Sequence, residues 1–315
     1  MDLYSFILII IVLAVLATTS VVCYFLKRQK ETVDVKSLEP FFSRLRFWWT
    51  LFAVLTVSLL LKPLCGHTIT IGLFAILSFW GMREFLTLTP TRPADHITMF
   101  LVLFLCTIVQ YFLVAWNIYE LYSIFIPTYA FLLVPACMTL SGDSTHFLER
   151  AAKINMGMLI CIYSLSFAPA LLSIPIDPST KSSNLGLLIF FVIIAQISDV
   201  LQYVMSLFPI RNYVSHEINS TKTWEGVIGS TLIVMIIGAG LSWTTPFSYL
   251  TAALVSMAIS FMGAAGSMTL SAVKRDRGVR DYGTLVEGHS GILDRIDSLC
   301  FAAPIYFHLT VVIIN

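Results

Sequence analysis

Charge is what this 315-residue sequence has least of. Asp, Glu, Lys and Arg make up 12% of it, about half the share of a soluble domain. The formal net charge is only +1, which argues against a nucleic-acid binder with its basic face. The six cysteines (23, 65, 106, 137, 161 and 300) stand singly in apolar segments, with no C-x-x-C and no Cys/His ligand spacing. They read as small core or lipid-facing residues rather than as a disulfide framework or zinc site. No basic region precedes the first apolar run, and Lys27 and Arg28 follow it, so a retained anchor is expected and not a cleaved signal. Internal repeats and low-complexity tracts are absent as well. The longest polar loops, 27–46 and 271–297, are too short to bury a core of their own.

What is there is apolar: 57% of residues are hydrophobic and the mean hydropathy is +0.86. A helical span needs about 20 apolar residues. Runs that meet or approach this lie at 4–26, 47–61, 68–82, 99–116, 118–140, 154–174, 185–208, 227–244, 247–270 and 298–314. The expected fold is therefore all-α, a polytopic membrane protein of about ten transmembrane helices. It reads as one membrane-embedded domain over 1–315, with an anchor helix and basic loop in 1–46 and a motif-bearing half in 185–315. With the N-terminus outside, the inner loops 27–46, 83–97, 141–153, 209–226 and 271–297 hold 17 of the 19 Lys and Arg. The opposite orientation would invert that ratio, so the positive-inside bias selects this one. Trp48, Trp49, Trp80, Trp116, Trp224 and Trp243 all fall near expected span ends.

Three inner segments are candidates for chemistry. Asp199, late in the seventh span, shares a helix face with Gln202 and Tyr203 at i+3 and i+4. A carboxylate at that depth is costly and commonly marks function; the other reading is an aspartate satisfied by a neighbouring helix's hydroxyl or lysine. Glu120, alone near an outer span end, takes the structural reading. The second segment, 219–226, puts hydroxyls and Lys222 before a helix, which suits anion binding. It reads equally as a helix cap, with Lys222 and Glu225 as a surface pair. The third is 271–297, which packs ten charged residues of both signs beside glycines at 278, 283, 288 and 291. Ser267, Ser271 and Lys274 line one face of the ninth span. Asp294 and Asp297, one turn apart, suit Mg²⁺, which prefers one or two carboxylates plus phosphate oxygens and water.

The third segment reads S-x-x-K-R-x-x-x-x-R-D and then G-H-x-G-x-x-D-R-x-D. It resembles the signature of the phosphatidate cytidylyltransferase (CDP-diacylglycerol synthase) family, in a divergent bacterial-type form. Segment 219–226 is similar to that family's S-P-x-K-T-x-E-G block, and Asp199 with Tyr203 to its D-x-x-x-Y element. The resemblance covers about residues 195–310. It implies cytidylyl transfer from CTP to phosphatidate or a related lipid phosphate in the cell (inner) membrane, with Mg²⁺ required and the site facing the cytoplasm. It also implies that Lys222, Ser271, Lys274, Arg275, Asp281, His289, Asp294, Arg295 and Asp297 carry the reaction. Asp199, Tyr203, Thr223 and Glu225 would line the nucleotide site, and Asp281, Asp294 and Asp297 would hold the metal.

Three departures stand out. The family's G-D-L-x-E-S is Gly266-Ser267-Met268-Thr269-Leu270-Ser271 here, so a metal carboxylate and a glutamate are missing. Either Asp199 or Asp281 compensates for Ser267, or the metal site is weaker. G-H-G-G is Gly288-His289-Ser290-Gly291, and S-P-x-K is Asn219-Ser220-Thr221-Lys222. The competing readings are a CTP-dependent lipid kinase and a non-catalytic lipid-binding paralogue or transporter. Acidic residues gathered at one face, rather than at several span centres, favour the enzyme. Beyond substrates and membrane lipids, no nucleic-acid partner is expected, and a homodimer is the assembly to test.

Overall fold

The computed structural model describes residues 45, 48–57, 61, 66–88, 92–176, 183–206, 212–219, 222–279 and 291–314, with single positions at 7, 10, 13, 16, 17 and 20. Its continuous helices are α1 (Trp48–Val57), α2 (Thr68–Leu88), α3 (Pro93–Ala115), α4 (Tyr119–Thr139) and α5 (Phe147–Ser173). They continue with α6 (Asn184–Ser206), α7 (Trp224–Gly240), α8 (Tyr249–Asp276) and α9 (Leu293–Ile314). Seven of these are long and apolar enough to cross a membrane, while α1 and α7 are shorter apolar helices. No β-strand occurs among the described residues. The fold is the expected all-α polytopic one, since only structures that satisfy their own backbone polar groups persist in hydrocarbon. The expected first span, 4–26, lies largely outside the described residues.

Several helices outrun the apolar windows. α2 continues past Met82 through Arg83 and Glu84 to Leu88, and α5 starts at Phe147 rather than 154. α8 continues to Asp276, and α9 begins at Leu293 instead of 298. Hydropathy stops a span at its first charges, whereas a helix stops where its backbone hydrogen bonds do. Trp80 accordingly sits within α2, eight residues before the helix ends.

α6 is the axis of the C-terminal half. It packs against α7, α8 and α9 as well as the end of α5, and Leu187, Leu188, Phe190, Phe191, Val192 and Ile194 are fully buried along it. Tyr306 of α9 stacks on Phe191 with centroids 5.3 Å apart and donates its hydroxyl to Leu187 O. Residues buried on every side explain why this segment reads as one continuous apolar run. Nearer the other half, Arg150 of α5 reaches Asp95 at 3.3 Å and Asp143 at 3.1 Å, and Arg92 meets Asp143 at 3.0 Å. The Thr145 N–H and then Arg92 hold the Asp143 carboxyl well below the usual carboxylate range. This cluster ties the start of α3 to the start of α5.

α8 and α9 cross closely because small residues face the contact, the usual device for helix packing in a membrane. A Cβ on Gly266 would lie 2.8 Å from the Asp297 carbonyl oxygen and 2.8 Å from Phe301 Cβ. At its far end α8 is closed by Gly278, at φ +68. Val279 N–H returns to Lys274 O and Gly278 N–H to Arg275 O, each at 3.0 Å. That is a Schellman stop, which needs a left-handed residue after the helix. Gly266→Ala should cost about 1–3 kcal/mol by overpacking against backbone and lower the thermal midpoint in detergent. Gly72→Ala, with nothing within 4 Å of the added methyl, should be neutral or slightly stabilising. Equal midpoints for the two variants would contradict the close α8–α9 contact.

Candidate active site

The loop between α6 and α7 turns Lys222 inward. Val214 N–H donates to Lys222 O at 3.1 Å and Trp224 N–H to Asn212 O at 2.9 Å, pairing two short segments around a Tyr213–Thr223 bridge. Thr223 then caps α7, its Oγ1 accepting the Gly226 N–H at 3.0 Å. Glu225 holds the other side of the loop by accepting from the Asn212 backbone N–H at 3.3 Å and from its side-chain amide. Lys222 is thereby 5% exposed. Its Nζ lies 3.6 Å from Asp199 Oδ1 and donates to Gln202 Oε1. The surface pair of Lys222 with Glu225 is replaced by these buried partners, because the bridge points the two side chains to different elements.

From Gln202 the polar contacts continue into the bundle. Its amide donates to Ser198 Oγ at 3.0 Å, Ser198 meets Ser260 of α8 at 2.7 Å, and Ser260 meets Thr231 of α7 at 2.9 Å. A buried polar group without a partner costs about 1–3 kcal/mol. This chain of contacts gives Asp199, Lys222 and the three hydroxyls partners on three helices. Asp199 is satisfied by a neighbouring lysine, the second of the two readings the sequence offered for it.

The end of α8 is bound to the same loop and to α9. Asn219 Nδ2 donates to Ser271 Oγ at 3.0 Å, and Arg275 Nε to Ile218 O at 3.2 Å. Lys274 Nζ donates to Asp294 Oδ1 at 2.6 Å, with both side chains mostly buried. Lys222 N–H turns back to Asn219 O at 3.4 Å, so the lysine and the Asn219 contact belong to one turn. Lys222, Ser271, Lys274, Arg275 and Asp294, from three segments, therefore gather at one end of the bundle. Asp297 lies one turn further along α9 than Asp294, where its Oδ1 accepts the Ser298 N–H at 2.8 Å, and Gly266 packs on its carbonyl. Ser267, 7% exposed, occupies the same crossing. Tyr203 and Arg295 are half-buried on α6 and α9. Asp281 and His289 lie outside the described residues.

The start of α9 is held by a residue the sequence reading passed over. Glu84 of α2 accepts the Ile292 N–H at 3.0 Å and the Leu293 N–H at 2.8 Å. A carboxylate satisfies unpaired N–H groups at a helix N-terminus and complements its dipole. Glu84 looked like a loop residue because the apolar window ended at Met82. The available signal was a glutamate one helical turn beyond Trp80, with no proline between them.

Among the described residues, no group of three or more His, Cys, Asp or Glu stands together as a metal cage. Asp294 is paired with Lys274, and Asp297 Oδ1 accepts the Ser298 N–H; these are the two carboxylates at this end of α9, and Mg²⁺ is an ion that takes one or two carboxylates when phosphates and water complete its shell. Glu84→Ala should unpair the two α9 amides and cost about 1 kcal/mol or more, as loss of a helix cap does. Glu84→Gln, which keeps an acceptor, should cost less. Hydrogen exchange at Ile292 and Leu293 should accelerate in the alanine variant; unchanged protection would remove Glu84 from this role.

Residues 42–313 match the cytidylyltransferase family. The chain is 33% identical over 267 residues to the uncharacterized protein YnbB of Escherichia coli K12, covering 84% of this chain and 85% of that one. It is 38% identical over 135 residues to a phosphatidate cytidylyltransferase of Synechocystis, covering 41% of this chain and 45% of that enzyme. To the phosphatidate cytidylyltransferase of Bacillus subtilis it is 36% identical over 95 residues, 30% of this chain and 35% of that one. The chain thus spans less than half the length of those two named enzymes. A match running from before α1 to the last turn of α9 takes in every helix that builds the site, and by it the chain belongs to the cytidylyltransferase family.

Proposed function

We propose that this protein transfers the cytidylyl group of CTP to phosphatidate, giving CDP-diacylglycerol and pyrophosphate, at the cytoplasmic face of the inner membrane. The observation that carries the reading is the convergence of Lys222, Ser271, Lys274, Arg275 and Asp294 at one end of α7, α8 and α9. CTP is water-soluble and phosphatidate lies in the leaflet, so a site at helix ends meets both. The named relatives are phosphatidate cytidylyltransferases, which supports phosphatidate as the acceptor.

In this reading an oxygen of the lipid phosphate attacks the α-phosphorus of CTP. The bond from that phosphorus to the bridging oxygen breaks, and pyrophosphate leaves. The nucleophile is already anionic, so no side chain need remove a proton. The difficulty is to bring two polyanions together, which cationic side chains lower by positioning and electrostatics. Lys274 acts as a point charge, whereas the exposed Arg275, anchored through Nε on Ile218 O, offers a planar fork to phosphate oxygens. Lys222, held by Asp199 and Gln202, sets the positive floor of the site. Mg²⁺, when bound at Asp294 and Asp297, would neutralise phosphate charge; Asp281 is a further candidate ligand.

Purified protein incubated with CTP, Mg²⁺ and phosphatidate should yield CDP-diacylglycerol and pyrophosphate. Release of CDP with a newly phosphorylated lipid would instead identify a CTP-dependent kinase. Asp294→Asn should reduce turnover by about 10²-fold or more, the cost of losing one strong transition-state contact. The exchange Lys274→Asp with Asp294→Lys separates architecture from chemistry. It should recover much of the thermal midpoint lost in either single variant, because the pair is reformed, yet remain inactive. Recovered activity in the double variant would reduce the pair to a structural tie.

A further inference from the structure

A groove of about 460 Å³ opens on the apolar side of α7, α8 and α9, within the range of about 300–1,000 Å³ common for ligand sites. Val227, Thr231, Leu232 and Met235 of α7 line it, with Met257 of α8 and Ile305 of α9 among the facing residues. Of its ten lining residues only Thr231 has a polar side-chain atom. That hydroxyl is already committed to Val227 O at 2.7 Å and to Ser260 at 2.9 Å. The groove therefore offers nothing to a headgroup, a nucleotide or water, and suits hydrocarbon alone.

Its position ties it to the proposed site. Val227 lies one turn beyond the cap, its N–H donating to Thr223 O at 2.9 Å, and Lys222 immediately precedes that cap. From Val227 to Met235 the groove descends about 12 Å along α7, at 1.5 Å per residue. Its wall at Thr231 is the last member of the buried chain that runs through Ser260, Ser198 and Gln202 to Lys222. Three of the ten lining residues are methionines, 235, 257 and 262, unbranched side chains that adapt to irregular apolar shapes. We infer that this groove holds an acyl chain of the acceptor lipid while its phosphate sits at the Lys222 end. The inference rests on the proposed lipid-phosphate acceptor and adds to it a residue set that selects chain length.

The test compares dihexadecanoyl with dioctanoyl phosphatidate on the full-length protein in detergent. Leu232→Trp and Met257→Trp fill the groove from positions already exposed on the apolar surface, where a larger side chain is tolerated. Each should raise KM for the long-chain acceptor about tenfold or more, the scale of a steric change in an apolar pocket. KM for CTP and turnover of the short-chain acceptor should stay within about twofold. Equal effects on both acceptors, or none on either, overturn the inference. A second readout does not need turnover: phosphatidate with a photoreactive group at its acyl terminus should label peptides of α7 and α8, and Leu232→Trp should abolish that labelling. Equal labelling by phosphatidylcholine with the same acyl probe would make the occupant ordinary bilayer lipid. A wild-type dimer split by either tryptophan would make the face a subunit contact, and both results count against the inference. If wild-type protein forms no CDP-diacylglycerol, the functional reading fails instead, and labelling alone decides the groove.

Discussion

The contact between Lys274 and Asp294 is the constraint around which the C-terminal half is arranged. Twenty residues separate the two in sequence, and at 2.6 Å they fasten the last turns of α8 to the first turn of α9. Both are largely withdrawn from water, where breaking a pair is far more costly than an exposed salt bridge is worth. Everything around the pair serves to keep its two helices in place. Small residues at Gly263 and Gly266 let the backbones approach, the Gly278 stop ends α8 just beyond the lysine, and Glu84 sets the first turn of α9 from the opposite side. The N-terminal half of the chain, which carries no recognisable motif, thus contributes directly to the geometry of the site.

A second layer of order is polar and lies deeper. Lys222, Asp199 and Gln202 satisfy one another, and the contacts continue through Ser198 and Ser260 to Thr231. In a bundle surrounded by hydrocarbon, van der Waals packing and interhelical hydrogen bonds replace the hydrophobic drive between helices. A chain of hydroxyls across α6, α7 and α8 therefore specifies how those helices are rotated as well as satisfying its own members. The same rotation turns the apolar sides of α7 and α8 outward, where the groove forms.

Much of the fold was legible because a bilayer imposes one simple rule on composition. Runs of about 20 apolar residues located the spans that α2 to α6, α8 and α9 occupy, and the motif in 271–297 pointed to the helix ends where Lys274 and Asp294 meet. The misplaced boundaries share one cause. Arg83 with Glu84 and the 147–153 segment were assigned to inner loops, yet each lies within a helix, whereas the helical placing of Lys274, Asp294 and Asp297 agrees with α8 and α9. Hydropathy reports the solvent a side chain prefers and is silent about whether its backbone goes on in a helix. Glu84 was overlooked for that reason.

Pairing was the other thing out of reach. Lys222 and Glu225 are near in sequence and suggest each other, but the lysine belongs to Asp199 and Gln202 and the glutamate to Asn212. Side-chain direction there is decided by an isolated Tyr213–Thr223 bridge, whose flanking segments are too short to show any alternation. By itself the sequence determined an all-α membrane fold, its helical segments and the family whose motif it carries, because hydropathy and motif spacing are local properties of the chain. Only the tertiary structure decided that Glu84 caps α9, that Asp199 is already satisfied, and that Lys274 meets Asp294, because those contacts depend on where three or four helices cross.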